Sequence, residues 1–407
     1  MLTLLPFCTV GLINGGGIWT STNSGVTPAF NLDSGFPTNW PLPPFINPTV
    51  QNGSSVNMVG RNDARAPYFL NSQISIQQSL PGQSSVEAAY VGVKGTRLGN
   101  SLMNLNQVNP QYLSLGSLLT QSVTSAAAVA AGIPLPYAGF TGSVAQALRP
   151  YPQYQTISNL SNPNGNSTYS ALQVKYTKRL SQGLTVLSSF TWSKAISDGD
   201  ISAGGGPSAQ DYYNRRLEKA IADYDVPHIL AVAYTYDLPI GKGKALLHDG
   251  GVAAAVLGGW QLTGIQQYQN GTPVQLSVNN TLPIFNGVLR PNLNPGVPLT
   301  LSPANPVGNP WFNKAAFSIP GNFQLGNAAR SYTQLRAPNS YNENFGLMRR
   351  IPVKERVTLT LRAEFFNAFN RVVFGAPAAN VSAANFGFVS SQANAPRQGL
   401  MSARIEF

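Results

Sequence analysis

The chain has 407 residues, of which only 10% are charged, while Gly (39) and Pro (31) are abundant and the formal net charge is +11. Typical soluble domains are about one quarter charged, and no apolar run here reaches the ~18–20 residues that a membrane-spanning helix needs. The composition therefore argues against a helical membrane protein and suits many strands joined by long polar loops. A nucleic-acid binder would cluster its Lys and Arg with aromatics on one face; here they scatter along the chain, from Lys94 and Arg97 to Arg349 and Arg350. Cys8 is the only cysteine, so there is no disulfide framework and no CxxC. His228 and His248 lie far apart and have no metal-ligand spacing. No metal or cofactor is expected.

Residues 1–70 are rich in Gly, Pro and Asn, with one strand expected near Leu4 to Ile13. The segment Met1–Phe7 has no basic start and is broken by Pro6, so it does not read as a secretory signal. The expectation is that this chain is the C-terminal part of a longer protein. Residues 71–407 then read as one barrel region. Ile74, Ile76 and Leu80 alternate with polar neighbours, Pro81-Gly82-Gln83 turns the chain, and Val86, Ala88 and Tyr90 run back. A short turn between two alternating segments marks a hairpin. A long polar insertion, 97–167, follows. Leu172, Val174 and Tyr176 then alternate, Ser181-Gln182-Gly183 turns, and Leu184, Val186, Phe190 and Trp192 face one way.

Residues 197–225 form another long connection, with a short helix expected around Tyr212 to Ala222. Leu230, Val232, Tyr234 and Tyr236 alternate next. A moderate connection leads to Trp260, Leu262, Gly264 and Tyr268, and 271–340 is a very long polar loop. The last hairpin joins Phe345–Ile351 to Val357–Phe365 across Pro352–Glu355. At the end, Met401, Ala403, Ile405 and Phe407 alternate with Ser402, Arg404 and Glu406. An extended strand with one apolar and one polar face, closed by an aromatic residue, fits the last strand of an outer-membrane barrel, and these four residues are the candidate assembly signal.

The connections run short, long, short, long, moderate, long, short, long. A transmembrane barrel has short turns on its periplasmic side and long loops outside, so the order itself predicts an all-β, antiparallel transmembrane barrel with long extracellular loops. About nine or ten strands are expected. Loops of this size suit a larger barrel of ~22 strands with a plugged lumen.

Several segments resemble a known family. They are Tyr169-Ser-Ala-Leu-Gln-Val-Lys-Tyr-Thr-Lys-Arg179, Phe190-Thr-Trp-Ser-Lys194, Asp223-Tyr-Asp-Val-Pro-His228, Tyr236-Asp-Leu-Pro-Ile-Gly-Lys-Gly-Lys244, Gly258-Gly-Trp-Gln-Leu262 and Arg362-Ala-Glu-Phe-Phe-Asn-Ala-Phe-Asn370. In this order they resemble the C-terminal barrel of Oar-like TonB-dependent outer-membrane receptors of Acidobacteria. The resemblance implies a 22-stranded barrel in the Gram-negative outer membrane, part of a transporter for a scarce solute such as an oligosaccharide, peptide or metal chelate. It also implies a plug and a TonB-contacting box, neither of which is recognised in this chain.

The expected partners are outer-membrane lipid, the barrel-assembly machinery, the solute and, only through a plug, the TonB complex; nucleic acid is not among them. Tyr151, Tyr154, Tyr212, Tyr213, Trp311 and Phe312 are the candidate solute contacts in the loops, with loop-to-loop packing as their plainer role. Asp223, Asp225 and His228 are the nearest thing to an acid–base cluster, but no nucleophile accompanies them, so no enzyme activity is expected. A passive porin or adhesion barrel, and a soluble glycan-binding β-sandwich, are the alternatives.

Overall fold

A computed structural model describes residues 26–28, 31, 33, 52–58, 65–99, 104–159, 162–199, 209–301, 303, 305–354 and 356–407. The strand expected near Leu4 to Ile13 lies outside the described residues.

Nine long strands form one sheet: β1 (Tyr68–Leu80), β2 (Ser84–Leu98), β3 (Gly165–Ser181), β4 (Leu184–Ser197), β5 (His228–Asp237), β6 (Trp260–Gln269), β7 (Ser340–Lys354), β8 (Val357–Phe366) and β9 (Gln398–Glu406). Each pairs with the next in sequence, and every pairing is antiparallel. The short pair Ala220–Ile221 adds to the outer end of β4. The sheet is open: β1 and β9 each have a neighbour on one side only among the described residues.

The register explains why the sheet is two-faced. Residues directly opposite across an antiparallel pair share a face. Following partners from strand to strand, Ile74 meets Tyr90, Tyr90 meets Leu172, and Leu172 meets Trp192. Trp192 then meets His228, and one step along the strands Phe190 meets Leu230 and Leu230 meets Tyr268. On the far side, Leu347 meets Ala363, and Ala363 meets Met401. The apolar set of every strand therefore lies on one continuous face, and Gln73, Gln173, Ser189, Thr235, Thr263 and Arg362 lie on the other. A slip of one residue anywhere would have mixed the two. Ile76 is 75% exposed and Met401 79% exposed on the apolar face. The other sheets are two-stranded pairs, so no second large sheet covers that face among the described residues. An exposed apolar surface that runs across nine strands needs an apolar neighbour.

All the short connections leave one end of the sheet: 81–83, 182–183, 355–356 and the moderate 238–259. The long loops 99–164, 198–227, 270–339 and 367–397 leave the other. The sorting predicted from loop length is what the pairing produces. Strands β1, β2, β3 and β7 run several residues further toward the loop end than the alternation alone indicated, because Tyr68–Ser72, Gly165–Ala171 and Ser340–Asn344 stay in register with their neighbours.

Two expectations are corrected. In place of a helix around Tyr212 to Ala222 there is a single 3-10 turn at Arg215–Glu218, followed by the strand pair Ala220–Ile221. Main-chain pairing of 220–221 with β4 overrides the weak local helical preference. The segments 97–167 and 271–340 are also not simply polar loops. Val108, Val274, Leu276, Val278, Ile284, Phe312, Phe317, Leu335, Val381 and Phe386 are buried together, and three of the long loops contribute to that one core. The two-faced sheet carries a second packed body at its loop end.

Candidate functional site

The candidate contact residues lie in the loop body, and a separate cleft lies on the polar face of the sheet. In the loop body, buried ion pairs hold the segments together. The Arg290 guanidinium donates to Glu218, and both side chains are almost fully buried. Arg290 also donates to the Leu217 carbonyl at 3.0 Å, and burial pulls its pKa down while Glu218 opposes that shift. Gln210 completes the joint by donating to the Gly326 carbonyl at 2.8 Å and accepting from the Arg290 N–H at 2.7 Å. Loops 198–227 and 270–339 are thus one unit.

The second joint explains Asp225. Its carboxylate accepts from the Ala195 N–H at 2.6 Å and pairs with Arg336 at 2.5 Å, while Arg336 also donates to the Gly271 carbonyl at 3.1 Å. Asp225 fastens the loop body to β4. His228 turns elsewhere: its Nδ1 is 2.7 Å from Asn270 Oδ1, and its ring stacks on Phe190 with centroids 6.2 Å apart. Asp225 and His228 line one cleft of about 500 Å³ but spend their hydrogen bonds on different partners.

The candidate contact aromatics divide in two. Tyr212 and Tyr213 meet edge to face at 5.3 Å, and the Tyr213 hydroxyl donates to the Gln107 carbonyl at 3.1 Å. Burial raises the pKa of both phenols; Tyr151 contributes to the shift of Tyr212, and Tyr212, Asp211 and Tyr112 contribute to that of Tyr213. Tyr151 is exposed and Tyr154 half-buried, and the Asn106 side-chain amide donates to both their carbonyls, at 3.0 and 2.9 Å. The structure therefore brings Tyr151, Tyr212 and Tyr213 into one neighbourhood at the surface of the loop body. Beside Tyr154, Arg149 donates to its carbonyl at 2.9 Å and lies 3.4 Å from the Phe285 ring centroid; burial lowers its pKa to about 10, which leaves it charged at neutral pH. Trp311 and Phe312 are placed differently. Phe312 is fully buried against Phe386, centroids 6.1 Å apart, and Trp311 is packed against the same core.

The polar face has its own cleft, of about 440 Å³, lined among others by Thr185, Thr235, Thr263, Asn344, Arg362 and Glu364. Arg362 and Glu364 form an ion pair there at 2.6 Å. Alternation alone marks Thr185, Arg362 and Glu364 as the polar half of their strands, and only the register shows that they share one space with Thr235, Thr263 and Asn344. Among the described residues no group of His, Cys, Asp and Glu could hold a metal ion. At the C-terminus, Met401, Ala403 and Ile405 lie on the apolar face of β9, and Phe407 is 100% exposed beyond it.

A family profile described as an outer membrane beta barrel domain matches residues 14–399. No curated protein matches the chain. Among solved structures, the outer membrane transporter YddB from Escherichia coli is similar at 9% identity over 88% of this chain and 34% of that one, with a TM-score of 0.43. The ferric-catecholate import receptor Fiu from E. coli K12 is similar at 10% identity over 87% of this chain and 29% of that one, with a TM-score of 0.38. The ferripyoverdine receptor of the Pseudomonas aeruginosa outer membrane is similar at 10% identity over 84% of this chain and 27% of that one, with a TM-score of 0.36. This chain spans about a third or less of the length of each.

Proposed function

Because the chain belongs to the outer membrane β-barrel domain family and so to the Gram-negative outer membrane, we propose that it supplies part of the wall and outer loops of a TonB-dependent transporter for a scarce solute. The observation that carries the reading is the joint sorting of faces and loops. One face of nine strands is apolar and uncovered, and every long loop is on one end. Lipid satisfies the first property and an extracellular surface the second.

In this reading the cleft beside Arg362 and Glu364 faces the lumen, and the tyrosines 151, 212 and 213 form the outermost contact surface. Aromatic faces stack on sugar rings and on planar chelates alike, so they suit an oligosaccharide, a peptide or a metal chelate. Trp311 and Phe312 take part only if the loop body opens. The resemblance to Oar-like receptors supports energised uptake through a plug, with TonB reached only by way of that plug. Met401, Ala403, Ile405 and Phe407 form the strand read by the assembly machinery.

The open sheet supports a larger barrel. A sheet edge in lipid leaves backbone N–H and C=O groups unpaired, each at a cost of several kcal/mol, so β1 and β9 require strand partners. The barrel of the working transporter then contains more strands than the nine described, and 22 is the number the resemblance implies.

The test is uptake by cells that carry this barrel with its plug. A panel of ferric chelates, oligosaccharides and peptides is offered with and without a working TonB complex. Uptake lost without TonB is expected. Uptake that persists without TonB replaces this reading with a passive pore, and a protein that stays in the soluble fraction removes both.

A further inference from the structure

The connection 238–259 is the one turn at its end of the sheet that is not short, and it is folded. It contains a helix, α1 (Val252–Leu257). Its two arms are held by a parallel bridge between Ile240 and Leu246, by the Gly241 N–H donating to the Leu246 carbonyl at 2.8 Å, and by contact between the Gly241 and Gly258 backbones. A Cβ built on Gly258 would lie 2.8 Å from the Gly241 Cα, so close an approach needs glycine at both points.

The side of the sheet on which α1 sits is fixed by two side chains. Trp260 and Arg349 are register partners on the apolar face. Arg349 donates to the Val256 carbonyl at 2.9 Å and to the Ala255 carbonyl, and the Trp260 indole N–H points to the Val256 carbonyl at 3.4 Å. Both satisfy carbonyls that the end of a helix leaves without partners. The helix is therefore hung over the rim of the apolar face. Its Ala254 is buried, while Val252, Val256 and Leu257 are 82%, 57% and 54% exposed. Beside it, on the same face, Trp260, Leu361, Ala363, Met401 and Ala403 line an apolar groove of about 400 Å³. Lys242 and Lys244 are exposed on the same connection.

Three exposed aliphatic side chains in a rigid, short segment have no reason to face water. They continue the face that the reading above assigns to lipid, at the depth where tryptophan and arginine sit in a membrane interface. Resting on that reading, we propose that the 238–259 connection is an interfacial anchor: Val252, Val256 and Leu257 enter the inner leaflet of the outer membrane, and Lys242 and Lys244 bind anionic phospholipid headgroups there. A lysine near an anionic surface is attracted to it, so the pair biases which lipid collects beside this turn.

The test uses the whole barrel that carries this chain, cysteine-free and including Cys8→Ser, reconstituted in vesicles of phosphatidylethanolamine with phosphatidylglycerol. A nitroxide is placed at Val256→Cys, or at Val174→Cys as a control on the apolar face of β3. Collisions with oxygen report lipid and collisions with a water-soluble nickel chelate report water. The ratio of oxygen to nickel accessibility is expected to be several-fold higher at both positions than for a label at Ser85→Cys, on the polar face. If Val174 reports lipid and Val256 reports water, the anchor is overturned and the membrane wall stands. If Val256 is shielded from both reagents, a protein partner covers the helix and the anchor is likewise overturned. If Val174 reports water, both proposals fall. In the Lys242→Glu, Lys244→Glu variant, the label at Val256 is expected to become more nickel-accessible in phosphatidylglycerol vesicles but not in purely zwitterionic ones; equal behaviour in both overturns the headgroup assignment.

Discussion

Arg290 and Glu218 show how much of the loop body depends on single side chains. Two opposite charges removed from water are tolerable only while each has the other, and breaking such a pair costs about 3–5 kcal/mol because the survivor is left buried and unpaired. Arg290→Met is therefore expected to loosen loops 198–227 and 270–339 by an amount of that order. It should be read as faster protease nicking of these loops in folded protein, with the sheet unaffected. Replacing both partners by apolar residues should cost much less. The neighbouring phenols give a pH test. Burial raises the pKa of Tyr212 and Tyr213 above 10.0, so the folded state favours the neutral ring. Below pH ~10 both folded and unfolded phenols are neutral and this contribution is complete. As the pH rises from there through the raised values, the unfolded chain ionises first and the contribution is lost. Tyrosinate absorbance should show these two rings titrating after the exposed tyrosines, and Tyr212→Phe should remove part of the delayed fraction. Equal titration of all tyrosines would contradict the packing described for this corner.

At the scale of the strands, the glycines show how tightly the wall is fitted. Tyr234 lies directly opposite Gly264, and a Cβ on Gly264 would come within 2.5 Å of the Tyr234 ring. Phe365 lies opposite Gly399 in the same way, 3.5 Å from where its Cβ would be. An aromatic ring laid over a strand glycine fills the space that residue leaves empty. Gly264→Val is expected to cost about 1–3 kcal/mol by overpacking, lowering the heat-modifiable folded band on a detergent gel. Adding Tyr234→Ala to it should restore much of that band. The strands themselves were legible in the sequence because period-two alternation is local: Leu359, Leu361 and Ala363 announce their face without reference to any partner. What stayed hidden depends on partners. Val274, Leu276 and Val278 alternate just as regularly, but nothing in one sequence says that they pack against Phe312 and Phe386 from other loops. Glu343 was hidden too. It breaks the apolar face of β7, and its charge is tolerable only because the turn after β8 folds over it: Arg371 pairs with it at 2.8 Å and the Ala368 N–H donates to its carbonyl at 2.8 Å. The aromatic cluster is legible in the same partial way. The sequence offers six rings, and packing decides that Tyr151, Tyr212 and Tyr213 reach the surface together while Phe312 does not.

For the whole molecule, direction settles how the wall can close. Nine antiparallel strands in sequence leave β1 and β9 running the same way. Joining them to each other would create one parallel seam in an otherwise antiparallel barrel, and the same seam would appear twice if two copies joined head to tail. Closure that keeps every pair antiparallel needs an odd number of further strands, which brings the total to the even number usual in bacterial single-chain barrels. The edges make this testable. In a Cys8→Ser background, Ile76→Cys on β1 and Ala403→Cys on β9 both lie on the apolar face near mid-strand. A disulfide requires Cα atoms within about 7 Å, so no crosslink between these positions is expected in intact outer membranes, either within a chain or between copies. By contrast, Ile76→Cys with Ala88→Cys, which are direct partners across the first hairpin, should crosslink efficiently and shows that the chemistry can work at that depth. The end of β9 supplies the complementary result. Phe407→Ser removes the aromatic that closes the strand, and it should abolish outer-membrane assembly while leaving synthesis unchanged. A β1–β9 crosslink in membranes would mean that these two edges meet each other, and normal assembly of the Phe407 variant would count against the terminal strand as the assembly signal.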